Sequence, residues 1–263
     1  MYYNLPTIMS LIKKLVPFLI VFSLIFYFIR TNDEYNTRIL LADIGGIPTL
    51  FASVSTIFGL LAAFAVQNEW NEWDALSEAV NGEVDSLEKL YLWSDHFPEN
   101  IKLPLHEDIK KYTSLVVSHW DFTERGEKTP EIDRALGALN DDIYRIFTEA
   151  PALVPISFAL FSRVMEHRSN RIQDSARHMP RILKNTLQYA AFLLIFLSVF
   201  IGIKNIWLAF LFTASIASLA FSIFLVLIDL DNPLKPGSWH ITTKGYEDLL
   251  ARIDEREKTA ALG

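Results

Sequence analysis

Between Ile47 and Val66 the chain runs for twenty residues without a charged side chain. It then enters Gln67-Asn68-Glu69-Trp70-Asn71-Glu72-Trp73-Asp74, with no glycine or proline between Leu60 and Asn81. A segment that changes solvent without a turn is expected to be one helix crossing from hydrocarbon into water. Its apolar positions continue at Val66, Trp70, Trp73, Leu76, Val80, Val84, Leu87 and Tyr91, in steps of three or four, which is a single stripe of an α-helix. A helix from Pro48 to Ser94 would be roughly 70 Å long at 1.5 Å per residue, far more than a bilayer core requires. Trp70 and Trp73 fall where the apolar run ends, the depth that tryptophan favours at a membrane surface.

Three further apolar blocks surround this segment. Val16–Ile29 is apolar but for Ser23, preceded by Lys13 and Lys14 and followed by Arg30; Leu187–Ile203 and Ile206–Ile228 carry no charge and are split by Lys204-Asn205. A bilayer-spanning helix needs about 20 apolar residues. The first block reaches that length only by extending back through Leu11 and Ile12, with its lysines snorkelling. A cleaved signal peptide shares its positive flank, but Ile29-Arg30-Thr31-Asn32-Asp33 is not a small-residue cleavage site, so a retained helix is expected.

The expected fold is therefore an all-α membrane protein with four transmembrane helices and a helical cytoplasmic domain inserted between the second and third. Residues 1–66 form an N-terminal pair (spans at about 12–29 and 47–66), 67–184 the inserted domain, 185–230 a C-terminal hairpin (spans at about 186–203 and 206–228), and 231–263 a tail. Four spans put both termini and the inserted domain on one side. Lys13, Lys14, Arg163, Arg168, Arg171, Arg177, Arg181, Lys184, Lys235 and Lys244 lie there, against Arg30, Arg38 and Lys204 opposite, so that side is cytoplasmic. Helices are expected at about 105–122, 131–150 and 156–178, and a short amphipathic one carrying Tyr246, Leu249, Leu250 and Ile253. No strand pattern or repeat is present.

Several chemistries lack their residues. Without cysteine there is no disulfide framework and no thiolate. No phosphate-cradling glycine loop, HExxH or nucleophile elbow occurs, and the six histidines are not at metal-ligand spacing. No enzyme, cofactor or metal is expected. The formal charge of -7, without basic patches among aromatics, argues against nucleic acid.

Within the second span, Ser53, Ser55, Thr56, Gly59, Ala62 and Ala63 stand among bulky residues. Small and hydroxyl side chains first of all serve close helix packing; the wall of a water-filled path is the second reading, and it gains from the continuity of the helix beyond the bilayer. Residues 67–108 hold eleven Asp or Glu and two Lys. Lining a vestibule, they would concentrate cations; on an outer face they would only be solvated. Asp229 and Asp231 end the fourth span against the helix dipole, so pairing with Arg177 or Arg181 is expected there.

Trp70-Asn71-Glu72-Trp73-Asp74 after an apolar helix resembles the Trp-Asn-x-aromatic-acid run that follows the pore helix of bestrophins. Ile47-Pro48-x-x-Phe51 resembles the start of that helix, and Asp231-Asn232-Pro233-Leu234 the Asn-Pro-Phe run closing the fourth. The sequence is more similar still to the bestrophin-like domain proteins. That pattern appears in Ala65-Val66-Gln67-Asn68-x-Trp70, Glu83, Leu87 through Tyr91, Tyr112 through Trp120, Arg168-x-x-Arg171, His178-Met179-Pro180 and Leu227 through Pro233, over about residues 45–250. The resemblance implies a pentameric homo-oligomer in the bilayer, passing small inorganic ions through a pore of five second helices. Aligned on Trp70, the family's neck positions fall on Ala52, Thr56 and Leu60; Ser53 and Phe64 join them as candidate lining. Trp70, Asn71, Trp73 and Asp74 are candidates for the interface or vestibule. Lys235-Pro236-Gly237-Ser238 replaces the acidic run of calcium-responsive bestrophins, so no calcium clasp is expected. The alternative is a non-conducting membrane-anchored scaffold or sensor whose cytoplasmic domain binds a protein partner.

Overall fold

The computed structural model describes residues 5–31, 46–125, 127–201, 203 and 205–262. Arg38 and Lys204, and the side chains of Lys14 and Arg30, lie outside what is described. Every regular element among the described residues is helical. In chain order these are α1 (Leu5–Thr31), α2 (Gly46–Trp93), a 3₁₀ turn (Ser94–His96), α3 (Glu99–Ser118), α4 (Trp120–Glu124), α5 (Pro130–Glu149), a second 3₁₀ turn (Pro151–Leu153), α6 (Val154–Ser175), α7 (Arg181–Val199), α8 (Ile206–Leu230) and α9 (Lys244–Leu262). The 48 residues of α2 form one unbroken helix, as its unbroken apolar stripe requires. It, α7 and α8 are long and apolar enough to cross a membrane, and α1 carries a shorter apolar stretch, Val16–Phe28.

The chain forms two compact units. The first comprises Met1–Asn71, His178–Pro233 and Gly237–Trp239; the second comprises Glu72–Arg177, Leu234–Pro236 and His240–Gly263.

In the first unit, Phe18 of α1 stacks on Phe221 of α8 with centroids 4.4 Å apart, and Phe26 meets Phe210 edge-on at 5.5 Å. The seams of α7 and α8 mix leucines with small side chains. Ala191 and Ser198 on one, and Ala209, Thr213, Ala217 and Ala220 on the other, are buried. Phe58, Ala62 and Ala65 of α2 join a cluster with Met179, Leu187, Ala191, Leu194, Ala220 and Leu227. Small residues let apolar helices approach closely, which is what packing in lipid rewards, since lipid tails already solvate leucine. Asn205 caps α8, its side-chain oxygen accepting from the Trp207 N–H at 2.9 Å.

The second unit has a conventional water-excluding core. Leu76, Leu87 and Leu90 of α2, Ile101, Leu105, Ile109 and Tyr112 of α3, Leu139 and Ile146 of α5, Val164 of α6, and Tyr246, Leu249 and Ile253 of α9 are all buried in it. Full burial of one such aliphatic side chain contributes about 1.5–3 kcal/mol. Leu250, expected on the apolar face of α9, is half-buried. At Gly82 the His167 ring occupies the space a Cβ would take, so α2 needs glycine there for close approach. Pro104 lies inside α3, which begins earlier and ends earlier than its periodicity implies. Proline has no N–H to donate to the carbonyl four residues back. That carbonyl, on Asn100, instead accepts from Arg145 Nη2 on α5 at 3.0 Å.

Candidate functional site

One face of α2 is exposed among the described residues. In the first unit its exposed positions include Thr49, Ala52, Ser53, Thr56, Leu60, Ala63, Phe64, Gln67 and Asn71, returning every three or four residues. All five candidate lining residues, Ala52, Ser53, Thr56, Leu60 and Phe64, lie on it. The opposite face carries Phe58, Ala62 and Ala65, which are buried. The chemistry of the exposed face changes along its length. It begins with hydroxyls whose protons are used within the helix: Ser53 Oγ donates to the Thr49 carbonyl and Thr56 Oγ1 to that of Ala52, each at 3.0 Å. Leu60 and Phe64 follow, 68% and 67% exposed. Then Gln67 Nε2 donates to Asn71 Oδ1 at 2.8 Å.

In the second unit the exposed positions of α2 are Asp74, Glu78, Asn81, Asp85 and Lys89, again at steps of three or four. Lys89 pairs with Asp85 at 2.5 Å, both half-solvated. Asp74 is fully on this face. The two tryptophans differ: Trp70 is 41% exposed and meets Trp239 edge-on at 6.2 Å, whereas Trp73 packs half-buried against the core of the second unit.

Arg171, on α6, anchors the inner side of the second unit. Its Nε donates to Glu83 Oε2 at 2.7 Å and its Nη1 to Thr123 Oγ1 at 2.8 Å, while the Tyr112 hydroxyl donates to Glu83 Oε1 at 2.5 Å. Arg171 and Glu83 are buried. Burial opposes the guanidinium charge most strongly, but the charge and hydrogen bond of Glu83 together with Tyr246 and Tyr112 hold the Arg171 pKa well above its ordinary value. Burial, then Glu83, raises the hydroxyls of Tyr112 and Tyr246 in the same way. These contacts tie α2, α3, α4 and α6 together inside the second unit.

The acids that end α8 find partners other than the expected arginines. Asp231 Oδ1 accepts from the Met179 N–H at 2.7 Å, with His178 Nδ1 and Lys184 Nζ each 3.8 Å from its carboxylate. Asp229 Oδ2 accepts from the Ser238 N–H at 2.8 Å, and its carboxylate fills the space beside Gly237. Arg177 instead pairs with Asp174 at 3.1 Å, one turn back on its own helix. Among the described residues Arg181 makes no ion pair. The correction has a simple reason: α7 starts at Arg181, so Met179 lies outside the helix with its backbone N–H free to donate, a better partner for a carboxylate than a long exposed side chain. Sequence reasoning missed His178, Lys184 and Ser238 here. Among the described residues no group of three or more His, Asp or Glu has a metal-holding arrangement.

A family model described as the bestrophin-like domain matches residues 16–243. The chain belongs to the bestrophin-like family. Its fold is shared with solved bestrophin homologues. A point variant of a bacterial bestrophin homologue from Klebsiella pneumoniae superposes with a TM-score of 0.76 at 8% identity, covering 91% of this chain and 97% of that one. Another structure of a bacterial bestrophin homologue from that organism gives 0.71 at 11% identity over 90% and 97%. A crystal structure described as a membrane protein variant gives 0.70 at 11% identity over 93% and 97%. A search of curated proteins by sequence returns no match. Family and apolar helices together make this bestrophin-like chain an integral membrane protein.

Proposed function

We propose that this bestrophin-like protein is one subunit of an oligomeric ion channel, passive in conduction, whose pore is lined by the exposed face of α2. The observation that carries the reading is that face itself, exposed among the described residues and changing from hydroxyl to apolar to amide to acid along one helix. A lipid-facing stripe has no use for Gln67 and Asn71, and a packing stripe would be small throughout. One copy of a helix encloses nothing, so several copies must surround an axis; the resemblance to bestrophins makes the number five. In this arrangement α1, the first part of α2, α7 and α8 span the bilayer, and both termini and residues 67–184 are cytoplasmic by the charge asymmetry of the flanks. Leu60 and Phe64, large and apolar, form the constriction; Ala52, Ser53 and Thr56 line the path beyond it. Asp74, Glu78 and Asp85 face the cytoplasmic vestibule, where their field enriches cations over anions. Trp70 and Trp73 mark the membrane surface, Trp70 on the wet side of the helix and Trp73 on the packed side.

Recording from purified protein in planar bilayers tests this. Wild type is expected to conduct, with Leu60→Ala raising conductance several-fold and Asp74→Lys moving the reversal potential toward anions. An intact oligomer that stays silent across ions and voltages would end the channel reading. Currents that neither substitution alters would remove this face of α2 from the pore wall.

A further inference from the structure

Away from α2, one ionisable group in the second unit is held without the partners its charge requires. Asp142 of α5 is only 6% exposed, and its Oδ2 is buried with no hydrogen-bond partner among the described residues. Its Oδ1 receives Arg145 Nη1 at 3.4 Å, a long contact. Arg145 is committed elsewhere: its Nη2 donates to the Asn100 carbonyl left free by Pro104, and its Nε lies 3.7 Å from Glu149. The charged groups that act on Asp142 are Asp108 on the facing helix α3 and, on α5, Arg145 and Asp141. Asp108 itself is half-buried, its pKa raised by burial and by Glu107, against the pull of Lys111. Two acids thus approach the α3–α5 seam, with one divided arginine between them.

We propose that Asp142 is a proton switch in the α3–α5 seam: protonated, it lets the two helices close; ionised, it loosens them. The step is a plain acid dissociation, one proton leaving the Asp142 carboxyl for solvent and one negative charge remaining on a buried oxygen without a donor. Burial is the largest cause and the Asp108 charge the next; together they push the Asp142 pKa up to about 6, within reach of cellular pH changes. The sign follows from the direction. A carboxyl whose pKa is raised on folding contributes its full stability below the unfolded value, near 3.8, and loses it as pH climbs through about 6. The seam therefore tightens on acidification and loosens on return to neutrality. This inference does not depend on ion conduction.

The test is hydrogen exchange of the full-length protein in detergent, reading peptides from α3 and α5 between about pH 4.5 and about pH 7.5, as the difference between wild type and Asp142→Asn. Wild-type protection relative to the variant should fall with rising pH, by up to tenfold per pH unit, and level off above about pH 6, the limit set by one linked proton. Asp108→Asn, which removes the neighbouring charge while leaving Asp142 in place, should move that levelling point to lower pH. His106, two residues from Asp108, titrates in the opposite sense in both proteins and cancels from the difference. A difference that is flat over the whole range overturns the proposal. Should Asp142→Asn not fold, Asp142→Leu takes its place as the non-titrating reference: the same fall and levelling uphold the proposal, and a flat difference overturns it.

Discussion

The two units bury different things. Around α7 and α8 of the first, alanine, serine and threonine share the seams with a few leucines such as Leu187, Leu194 and Leu227, while other large apolar side chains cover the outside: Leu211, Leu219, Ile182 and Phe192 are all exposed. The second unit inverts this, with large aliphatic side chains inside and Asp74, Glu78 and Asp85 outside. The inversion follows from the solvent. In water, association is driven by removing apolar area, so the core takes the largest side chains it can pack. In hydrocarbon that gain vanishes, and close contact between small surfaces replaces it. The acids differ too: Glu83 of the second unit is held in a fully buried ion pair, whereas Asp229 and Asp231 of the first, at the end of α8, lean on backbone N–H groups.

The largest expected effect is at that buried pair. Removing one partner leaves the other charged, buried and unpaired, at a cost of about 3–5 kcal/mol. Glu83→Ala should therefore unfold or markedly destabilise the second unit, measured by chemical denaturation in detergent followed at peptides of that unit. The double variant Glu83→Leu with Arg171→Met, made with Tyr112→Phe so that no buried hydroxyl loses its acceptor, should recover much of the loss, because an apolar cluster needs no compensation. A combined variant as unstable as the single one would mean that the tie itself, rather than the orphaned charge, holds the unit together.

A matched pair of truncations sharpens the comparison. Leu87 in the second unit and Leu187 in the first are both completely buried. Leu87→Ala should cost about 2–5 kcal/mol, the sum of lost transfer energy and a cavity. Leu187→Ala should cost about 1–2 kcal/mol less, because the transfer part is absent when the unfolded segment rests in lipid. Equal losses would place Leu187 in an environment from which water is excluded on folding, and would contradict a membrane location for that seam.

How much of this was legible follows from distance along the chain. The continuous α2 could be read because its stripe repeats locally, every three or four residues, and the candidate face of Ala52, Ser53, Thr56, Leu60 and Phe64 lies on one side of it. Glu83 and Arg171 each invited attention as polar residues in amphipathic helices, but 88 positions separate them and no periodicity joins them. Arg145 found the Asn100 carbonyl because Pro104 freed it; proline in a helix always leaves such an acceptor, so the vacancy was readable, although its occupant was not. The arginines expected at Asp229 and Asp231 were wrong for a related reason. Charge proximity was inferred from the membrane boundary alone, while the local chain path brought backbone N–H groups closer.

The smallest effect belongs to that last site, and its smallness is informative. Asp231→Asn keeps an oxygen to accept from Met179 N–H and loses only the charge felt by Lys184 and His178. The Lys184 side chain is 38% exposed and 3.8 Å away, so its attraction is screened by water and salt. The expected loss is below about 1 kcal/mol, read as a shift in the denaturation midpoint of the α7–α8 region that shrinks further in high salt. Asp231→Ala removes the acceptor as well and should cost about 1–2 kcal/mol more, the penalty for an unanswered backbone N–H at a helix entry. If instead Asp231→Asn proves as costly as Asp231→Ala, the carboxylate charge is the working feature, and the first unit carries a buried electrostatic tie after all, comparable to that of Glu83 in the second.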